Sequence, residues 1–579
     1  VPSESAPKPP SLSTQVSRAV VWNTLFVPLR LVAEVLSTLV KLNLLTQAGY
    51  GLLALISGAN NGFGTAVDLG TQRALPKYIP ELNKAGGARA VLRLLLAVFA
   101  AQMAVLLVIA VGLATWLRGP YLGTLRDKIL ADPKTGLVDQ LQLLGLLDGY
   151  GALVIGAILA LLFLGVCYDM FMAYLNSFFK QRAWNSIALA AGLLPQLLSV
   201  AAILILPDQW DILGVLAATV LAPTIAVALA GWQVLRLQIV AFRLQIEQER
   251  AADASADSTV GQSAIPRAAS SESAVRQSAI QNLKSAIPKG FIPYTGVSFL
   301  MTATDFVASA GFAIYLAGDI GDVAVLTAGA ALAKMALGYL YTPMVGVQVP
   351  LFTRVRQGEG GTLNGAYQSL VRLQLLLFVP GGVGLMLLAQ QALLVISPKY
   401  LVAAPIVWVL VPCLFIESLL TTAHNALIVY EKLGVIIISR LLTLAAVAAL
   451  ALLLPPRMGL LGVALAFGLS RVAAGAWATG SGYRLLGLRW PWRFTARVLA
   501  ATLAMSALIL AARGLLPPLA DGALIAERLR EAGLMFALAA VGAVGFFVAL
   551  RLLGGLDAQD KAQLLKLKLP LKRWLAKLI

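Results

Sequence analysis

Residues 94–117, LLLAVFAAQMAVLLVIAVGLATWL, run for the thickness of a bilayer without one charged side chain. At about 1.5 Å per residue, a helix needs about 20 apolar residues to cross a hydrocarbon core of about 30 Å. A transmembrane β-strand would alternate apolar and polar positions and end after about 10 residues, and this stretch does neither. Hydrocarbon offers no water to the backbone, so a helix that satisfies its own hydrogen bonds is the structure such a run can form.

Similar runs recur outward from this one in both directions. The 579 residues are 59% hydrophobic and 12% charged, which is more apolar surface than a soluble core can hide. The expected spans are 18–46, 48–75, 92–117, 148–178, 184–206, 212–240, 291–316, 322–350, 367–394, 403–429, 432–454, 458–482, 494–515 and 532–553. The fold class expected is an all-α polytopic membrane protein with about 14 transmembrane helices.

The net charge of +18 would suggest nucleic acid in a soluble chain, but its distribution is topological. With the N-terminus inside, the inner segments carry roughly 32 of the Lys and Arg residues and the outer ones roughly 9. Both termini are therefore expected on the cytoplasmic side, with no nucleic-acid partner. Cys167 and Cys413 fall within spans and are expected to pack rather than form a disulfide or metal site. The chain shows no GxxxxGK[ST], HExxH or GxSxG pattern and no metal-spaced Cys/His cluster, which argues against ATP-driven or hydrolytic chemistry. The longest outer segment, 118–147, mixes acids, bases and amides without a catalytic constellation.

Residues 242–290 are polar and Ser/Ala-rich, too poor in apolar area to build a domain, and read as a cytoplasmic flexible linker. They separate six expected helices from eight. Residues 48–58 and 73–87, AGYGLLALISG and RALPKYIPELNKAGG, have counterparts in 320–330 and 345–361, IGDVAVLTAGA and VGVQVPLFTRVRQGEGG. In each half an Ala/Gly/Leu-rich helix opens on a small or turn residue, ends near proline and gives way to a basic Gly-rich loop. Six helices return the chain to its starting side, so the duplication is expected as a parallel repeat about the membrane normal. The domain expectation is an N-terminal tail 1–17, an N-lobe 18–241, the linker 242–290, a C-lobe 291–482, two further helices within 483–553 and a basic tail 554–579. That tail alternates Leu and Trp574 with lysines and is expected to lie on an anionic inner leaflet.

Ionisable residues deep in spans are the candidate functional groups, because each is costly against lipid and turns toward protein or water. Arg30 and Glu34 lie four apart in the first span, Asp169 in the fourth, Asp305 in the seventh, Lys334 in the eighth, Glu417 and His424 in the tenth and Arg471 in the twelfth. Arg30 and Glu34 share one helix face and can neutralise each other. Lys334 has no acid within a turn on its own helix, so it needs Asp305, Glu417, water or an anionic ligand. Glu417 and His424 share a face two turns apart, and Asp305, Glu417 and His424 are candidates for proton or sodium coupling. Asp68 and Arg73 close the second span, with Asp68 one turn deeper and Pro76 ending the helix.

Residues 49–87, GYGLLALISGANNGFGTAVDLGTQRALPKYIPELNKAGG, resemble the second helix and following loop of the polysaccharide transporter family. These are the Wzx-type lipid-linked oligosaccharide flippases of the multidrug/oligosaccharidyl-lipid/polysaccharide (MOP) superfamily. The resemblance continues in 342–361, TPMVGVQVPLFTRVRQGEGG, and in 397–434, SPKYLVAAPIVWVLVPCLFIESLLTTAHNALIVYEKLG. It implies two six-helix lobes around a central cavity plus two C-terminal helices, in a bacterial cytoplasmic membrane. It also implies alternating-access movement of lipid-linked sugars. The substrate expected is a polyprenyl-diphosphate-linked oligosaccharide, with membrane lipids and polysaccharide assembly proteins as partners, no cofactor, and a monomer sufficing because both cavity walls are in one chain. By this resemblance the first, second, seventh and eighth helices border the cavity, so Arg30, Glu34, Asp68, Arg73 and Lys334, with Arg471, become candidates for its anionic diphosphate. Arg suits forked phosphate contacts and Lys a compact charge. The competing expectations are a lipid II flippase, a multidrug or cation antiporter, a membrane glycosyltransferase or polymerase, and a scaffold for polysaccharide assembly.

Overall fold

The computed structural model describes residues 32–133, 135–177, 181–257, 288, 290–341, 348–356, 358, 361–519 and 525–554. Among them the regular structure is helical throughout. Ahead of the expected linker come α1 (32–44), α2 (Gln47–Asp68), α3 (Thr71–Ala114), α4 (Arg118–Leu130), α5 (Leu137–Ser177), α6 (Gln181–Ile205) and α7 (Asp211–Asp257). After it come α8 (Phe291–Val307), α9 (Ile320–Tyr341), α10 (Gln348–Arg356), α11 (Leu363–Leu387), α12 (Ala389–Ile396), α13 (Ala404–Val429), α14 (Leu433–Leu453), α15 (Pro455–Leu486), α16 (Trp492–Gly514) and α17 (Ile525–Leu552).

Among the described residues, 11 helices are long and apolar enough to cross a membrane, and each coincides with an expected span. The other three expected spans have separate fates. The span 18–46 begins outside the described residues. α2 carries Asn60, Asn61 and Thr65 in its middle, which lowers its apolar character. α8 is only 17 residues long, because the expected span 291–316 breaks after Val307 and resumes as short turns, Ala310–Ala313 and Ile314–Leu316.

The second expected helix ends differently from its sequence reading. Leu69 and Gly70 take φ of 53° and 76°, and this left-handed pair turns the chain after Asp68. Pro76 and Pro80, expected to end the helix, lie inside α3. Each proline removes one backbone donor near the start of a 44-residue helix, and the many bonds that follow hold the turn. This extension places Ala74, Leu75, Tyr78 and Ile79 on one buried face, where the Tyr78 ring meets Phe291 at 5.4 Å and Tyr294 at 6.0 Å between centroids. Asp68 and Arg73 consequently sit on different helices.

Gly70 is required twice over. Its φ favours glycine, and a Cβ there would stand 2.5 Å from the Thr295 carbonyl oxygen. Gly70→Ala is expected to cost about 2 kcal/mol or more, from left-handed strain plus the clash. Thermal unfolding in detergent checks it, and an unchanged midpoint would show that the helices can part there at no cost.

Packing sorts the chain into two compact units. The first is built mainly from Ala59–Leu122 and Tyr150–Ala303. Its core gathers Val91, Leu94, Leu95 and Val98 of α3, Met172, Ala173, Tyr174 and Leu175 of α5, Ile187 of α6 and Ala230 and Val234 of α7. α7 runs on to Asp257, well past the expected end of its span at 240 and into the stretch read as linker. Residues 258–287, the first 31 residues and the basic tail from 555 onward lie outside the described residues, so the expectations for those segments do too.

The second unit comprises Val35–Gly58, Gly123–Gly149 and the chain from Thr304 onward. α13 and α15 approach closely at its centre, where a Cβ on Gly468 would stand 2.7 Å from the Cys413 sulfur. Cys413 and Cys167 are both buried and free, as expected for packing residues.

The segment 118–147, read as a loop, is largely α4 and the start of α5. Leu125, Lys128 and Ile129 of α4 are buried, and the Lys128 ammonium donates to the Ala317 carbonyl. Burial pushes that ammonium below its ordinary range, while Asp319 and Asp322 pull it back up. A lysine with a lowered folded-state pKa binds less proton than it does unfolded, so stability rises with pH between the folded value and about 10.5. Wild-type melting midpoints are therefore expected to gain on those of Lys128→Met as pH climbs through that window. Parallel profiles would place the Lys128 charge outside the folding equilibrium.

Candidate functional site

The intramembrane charges expected to matter in the C-terminal half meet in the second unit. Glu417 stands mid-way along α13 and Arg471 mid-way along α15. The two helices pack at small residues, which lets their polar side chains reach each other. Arg471 Nε donates to Glu417 Oε2 at 2.7 Å and its Nη2 to Oε1 at 2.6 Å, the forked geometry a guanidinium makes with a carboxylate. The third nitrogen, Nη1, donates to the Ala308 carbonyl at 2.8 Å.

That carbonyl is free to accept because of the break after α8. In an unbroken helix it would take the amide of Phe312, but Phe312 N–H donates to the Ser309 carbonyl instead. An interrupted helix inside a membrane protein leaves backbone groups that must find partners, and here a buried guanidinium meets that need. Just before the break, Asp305 accepts from Arg440 Nη1 of α14. Among the described residues the polar set thus joins α8, α13, α14 and α15.

Lys334 of α9 differs from these. It lies about 21 Å along the helix from Ile320, at about 1.5 Å per residue, and two turns before Tyr341. Its side chain is exposed, and among the described residues no acid pairs with it. The charged group acting on it is the cationic Arg471. Arg471 is itself largely enclosed, with its side chain 24% exposed. A neutral polar ladder continues along the same lobe. Asn425 Nδ2 donates to Gln348 Oε1 at 2.6 Å, and Thr422 donates to Gln374 Oε1 at 2.7 Å.

The remaining sequence candidates fall elsewhere. Arg30 lies outside the described residues, as does the side chain of Arg73. Glu34 is half-buried on α1 and His424 half-buried on α13. Asp68 belongs to the first unit, where its Oδ1 accepts from the backbone N–H of Gln72 at 3.1 Å and from the Thr71 hydroxyl at 3.2 Å. It therefore caps the first turn of α3, in the manner of a side-chain acceptor meeting unpaired N–H groups. Asp169 lies near Gln72 and Asp68 in the same region.

Of the partners the sequence left open for Lys334, namely Asp305, Glu417, water or an anionic ligand, the two acids each hold an arginine. Arg440, the partner of Asp305, was missed. Its signal was present, since it is a lone arginine in GVIIISRLLTL and deep intramembrane charge marks a site by the same reasoning applied to its neighbours. The Ala308 carbonyl had no sequence signal.

No family model and no curated protein sequence matches the chain. Solved structures do resemble it in shape. The lipid II flippase MurJ, in an inward closed conformation, superposes with a TM-score of 0.61 at 10% identity, covering 91% of this chain and 99% of that one. A MATE family multidrug resistance transporter of the MOP superfamily, facing inward, gives 0.49 at 14% identity over 81% of this chain and 98% of that one. A MOP superfamily transporter from Pyrococcus furiosus gives 0.42 at 13% identity over 82% and 95%. The MurJ superposition, near full length on both sides, shows the fold alone: an all-α arrangement of helices long and apolar enough to cross a membrane.

Proposed function

We propose that the chain is a flippase that carries polyprenyl-diphosphate-linked oligosaccharide across the bacterial cytoplasmic membrane by alternating access, supplying surface polysaccharide assembly. The observation that carries this reading is Lys334, an exposed cation deep in a helix whose neighbouring buried cations have carboxylate partners. A hydrophilic diphosphate head cannot cross hydrocarbon unaided, and an ammonium held open on a polar wall offers it a counter-charge along the way. Arg471 then acts behind Lys334, its three nitrogens already engaged, and Arg30 remains a further candidate cation from the sequence. The chemistry proposed is transport, with no covalent step.

A second reading, flipping of lipid II, is favoured by the near full-length resemblance in fold to the lipid II flippase MurJ. An exporter of organic cations is disfavoured, because a free ammonium repels its cargo. Proteoliposomes loaded with defined lipid-linked oligosaccharides, lipid II or a cationic dye separate the three. Flux of the oligosaccharide lipid alone supports the proposal, flux of lipid II alone replaces it, and dye flux without lipid flux removes both.

Ion coupling is a separate proposal. A proton or sodium ion acting at Asp305 or Glu417 has to displace a guanidinium from it. Flux that follows an imposed sodium or proton gradient in wild type, and loses that response in Asp305→Asn, supports coupling there. Flux indifferent to both gradients eliminates it.

A further inference from the structure

The turn between α15 and α16 presents cations that the transport site does not use. Residues 484–497, RLLGLRWPWRFTAR, hold Arg484, Arg489, Arg493 and Arg497 and no acid. All four arginines are exposed, and among the described residues no acid pairs with Arg484, Arg489 or Arg493. The segment joins two helices long and apolar enough to span a membrane, so it lies at a bilayer surface. Trp492 is 72% exposed, and its ring stands 6.2 Å from that of Trp490, an aromatic pair of the kind that settles at the headgroup level.

The turn is held in shape from behind. The backbone N–H of Arg489 donates to Asn364 Oδ1 at 2.8 Å, and the Arg489 carbonyl accepts from Gln368 at 3.1 Å, both from the start of α11. The Trp490 indole donates to Thr495 at 2.8 Å. Arg497 donates to the Gly554 carbonyl at 2.9 Å, tying the start of α16 to the end of α17. Four arginines within 14 residues of a braced turn concentrate positive charge at this surface, which draws an anion to it.

We propose that this turn is a binding surface for anionic phospholipid, with the headgroup phosphate held between Arg484, Arg489 and Arg493 and Trp492 set in the interface beside it. Charge complementarity selects the anion, since guanidinium forks match phosphate oxygens. The place of the turn between two spans selects a bilayer lipid over a soluble phosphate. The surface is independent of Lys334 and of which lipid-linked sugar is moved.

The full chain is placed in nanodiscs of phosphatidylcholine doped with phosphatidylglycerol, and the lipids retained on release are counted by native mass spectrometry. Wild type is expected to retain phosphatidylglycerol over phosphatidylcholine, and the preference should fall about fivefold for each arginine neutralised in Arg484→Gln, Arg489→Gln and Arg493→Gln. The triple lysine variant keeps the charge but loses the fork, so it should fall between wild type and the triple glutamine variant. Equal retention of the two lipids by wild type overturns the proposal. So does an undiminished preference in a monodisperse triple glutamine variant. Displacement of phosphatidylglycerol by millimolar glycerol phosphate alone would assign the turn to a soluble anion instead.

Discussion

Replacing Glu417 by Gln is expected to destabilise the second unit by about 3 kcal/mol, the lower end of the range for stranding one partner of a buried ion pair. The substitution keeps the shape of the side chain and removes its charge, leaving the enclosed Arg471 guanidinium with only the Asp305 carboxylate, already held by Arg440, acting on it. The Arg471 and Glu417 side chains are 24% and 20% exposed, so water offsets part of the loss. Removing both charges together, in Glu417→Met with Arg471→Met, should recover most of the stability, because the desolvation cost disappears with the attraction. The measurement is the unfolding midpoint of purified protein in detergent for Glu417→Gln, for Glu417→Met and Arg471→Met singly, and for the double variant. A double variant as unstable as the sum of the singles would show that the two groups do not act as a pair. Asp305→Asn should cost less, since the Asp305 side chain is 38% exposed and more of its charge is screened.

Lys334→Ala should have the opposite signature, with little loss of stability and a large loss of ligand discrimination. An exposed ammonium that pairs with no acid among the described residues holds little structure together, and removing it also relieves repulsion from Arg471. A charge-assisted hydrogen bond to phosphate contributes about 1.5–3 kcal/mol, so the preference for a lipid-linked diphosphate sugar over its dephosphorylated analogue should fall about 10- to 150-fold. Lys334→Arg should keep much of that preference. Binding is measured on monodisperse wild type and both variants. If wild type takes both ligands equally, or Lys334→Ala keeps full discrimination, the diphosphate is held elsewhere. If Lys334→Ala unfolds while Lys334→Arg does not, the charge serves packing.

The sequence by itself determined that this chain spans a membrane as helices, and it marked most of the boundaries. Hydropathy is summed along the chain, so runs such as 94–117 announce themselves without reference to any neighbour. The same local logic flagged Lys334, Glu417, Arg471 and Asp305, because a charge within an apolar run is anomalous whatever it touches. Where a boundary depended on backbone conformation, the local signal misled. Pro76 looked like a helix end, yet the chain turns at Leu69 and Gly70, where the carbonyl of Thr295 leaves no room for a Cβ. Composition likewise suggested a linker from 242 onward, but α7 continues to Asp257.

Which charges meet was decided only by the tertiary structure. Glu417 and Arg471 are 54 residues apart and Asp305 and Arg440 are 135 apart, and nothing along the chain records such pairings. The break after α8 frees the Ala308 carbonyl for Arg471, and those pairings in turn leave Lys334 as the cation without an acid among the described residues. An ion pair depends on distances in space, which the packing of α13 against α15 sets and which the order of residues along either helix does not contain.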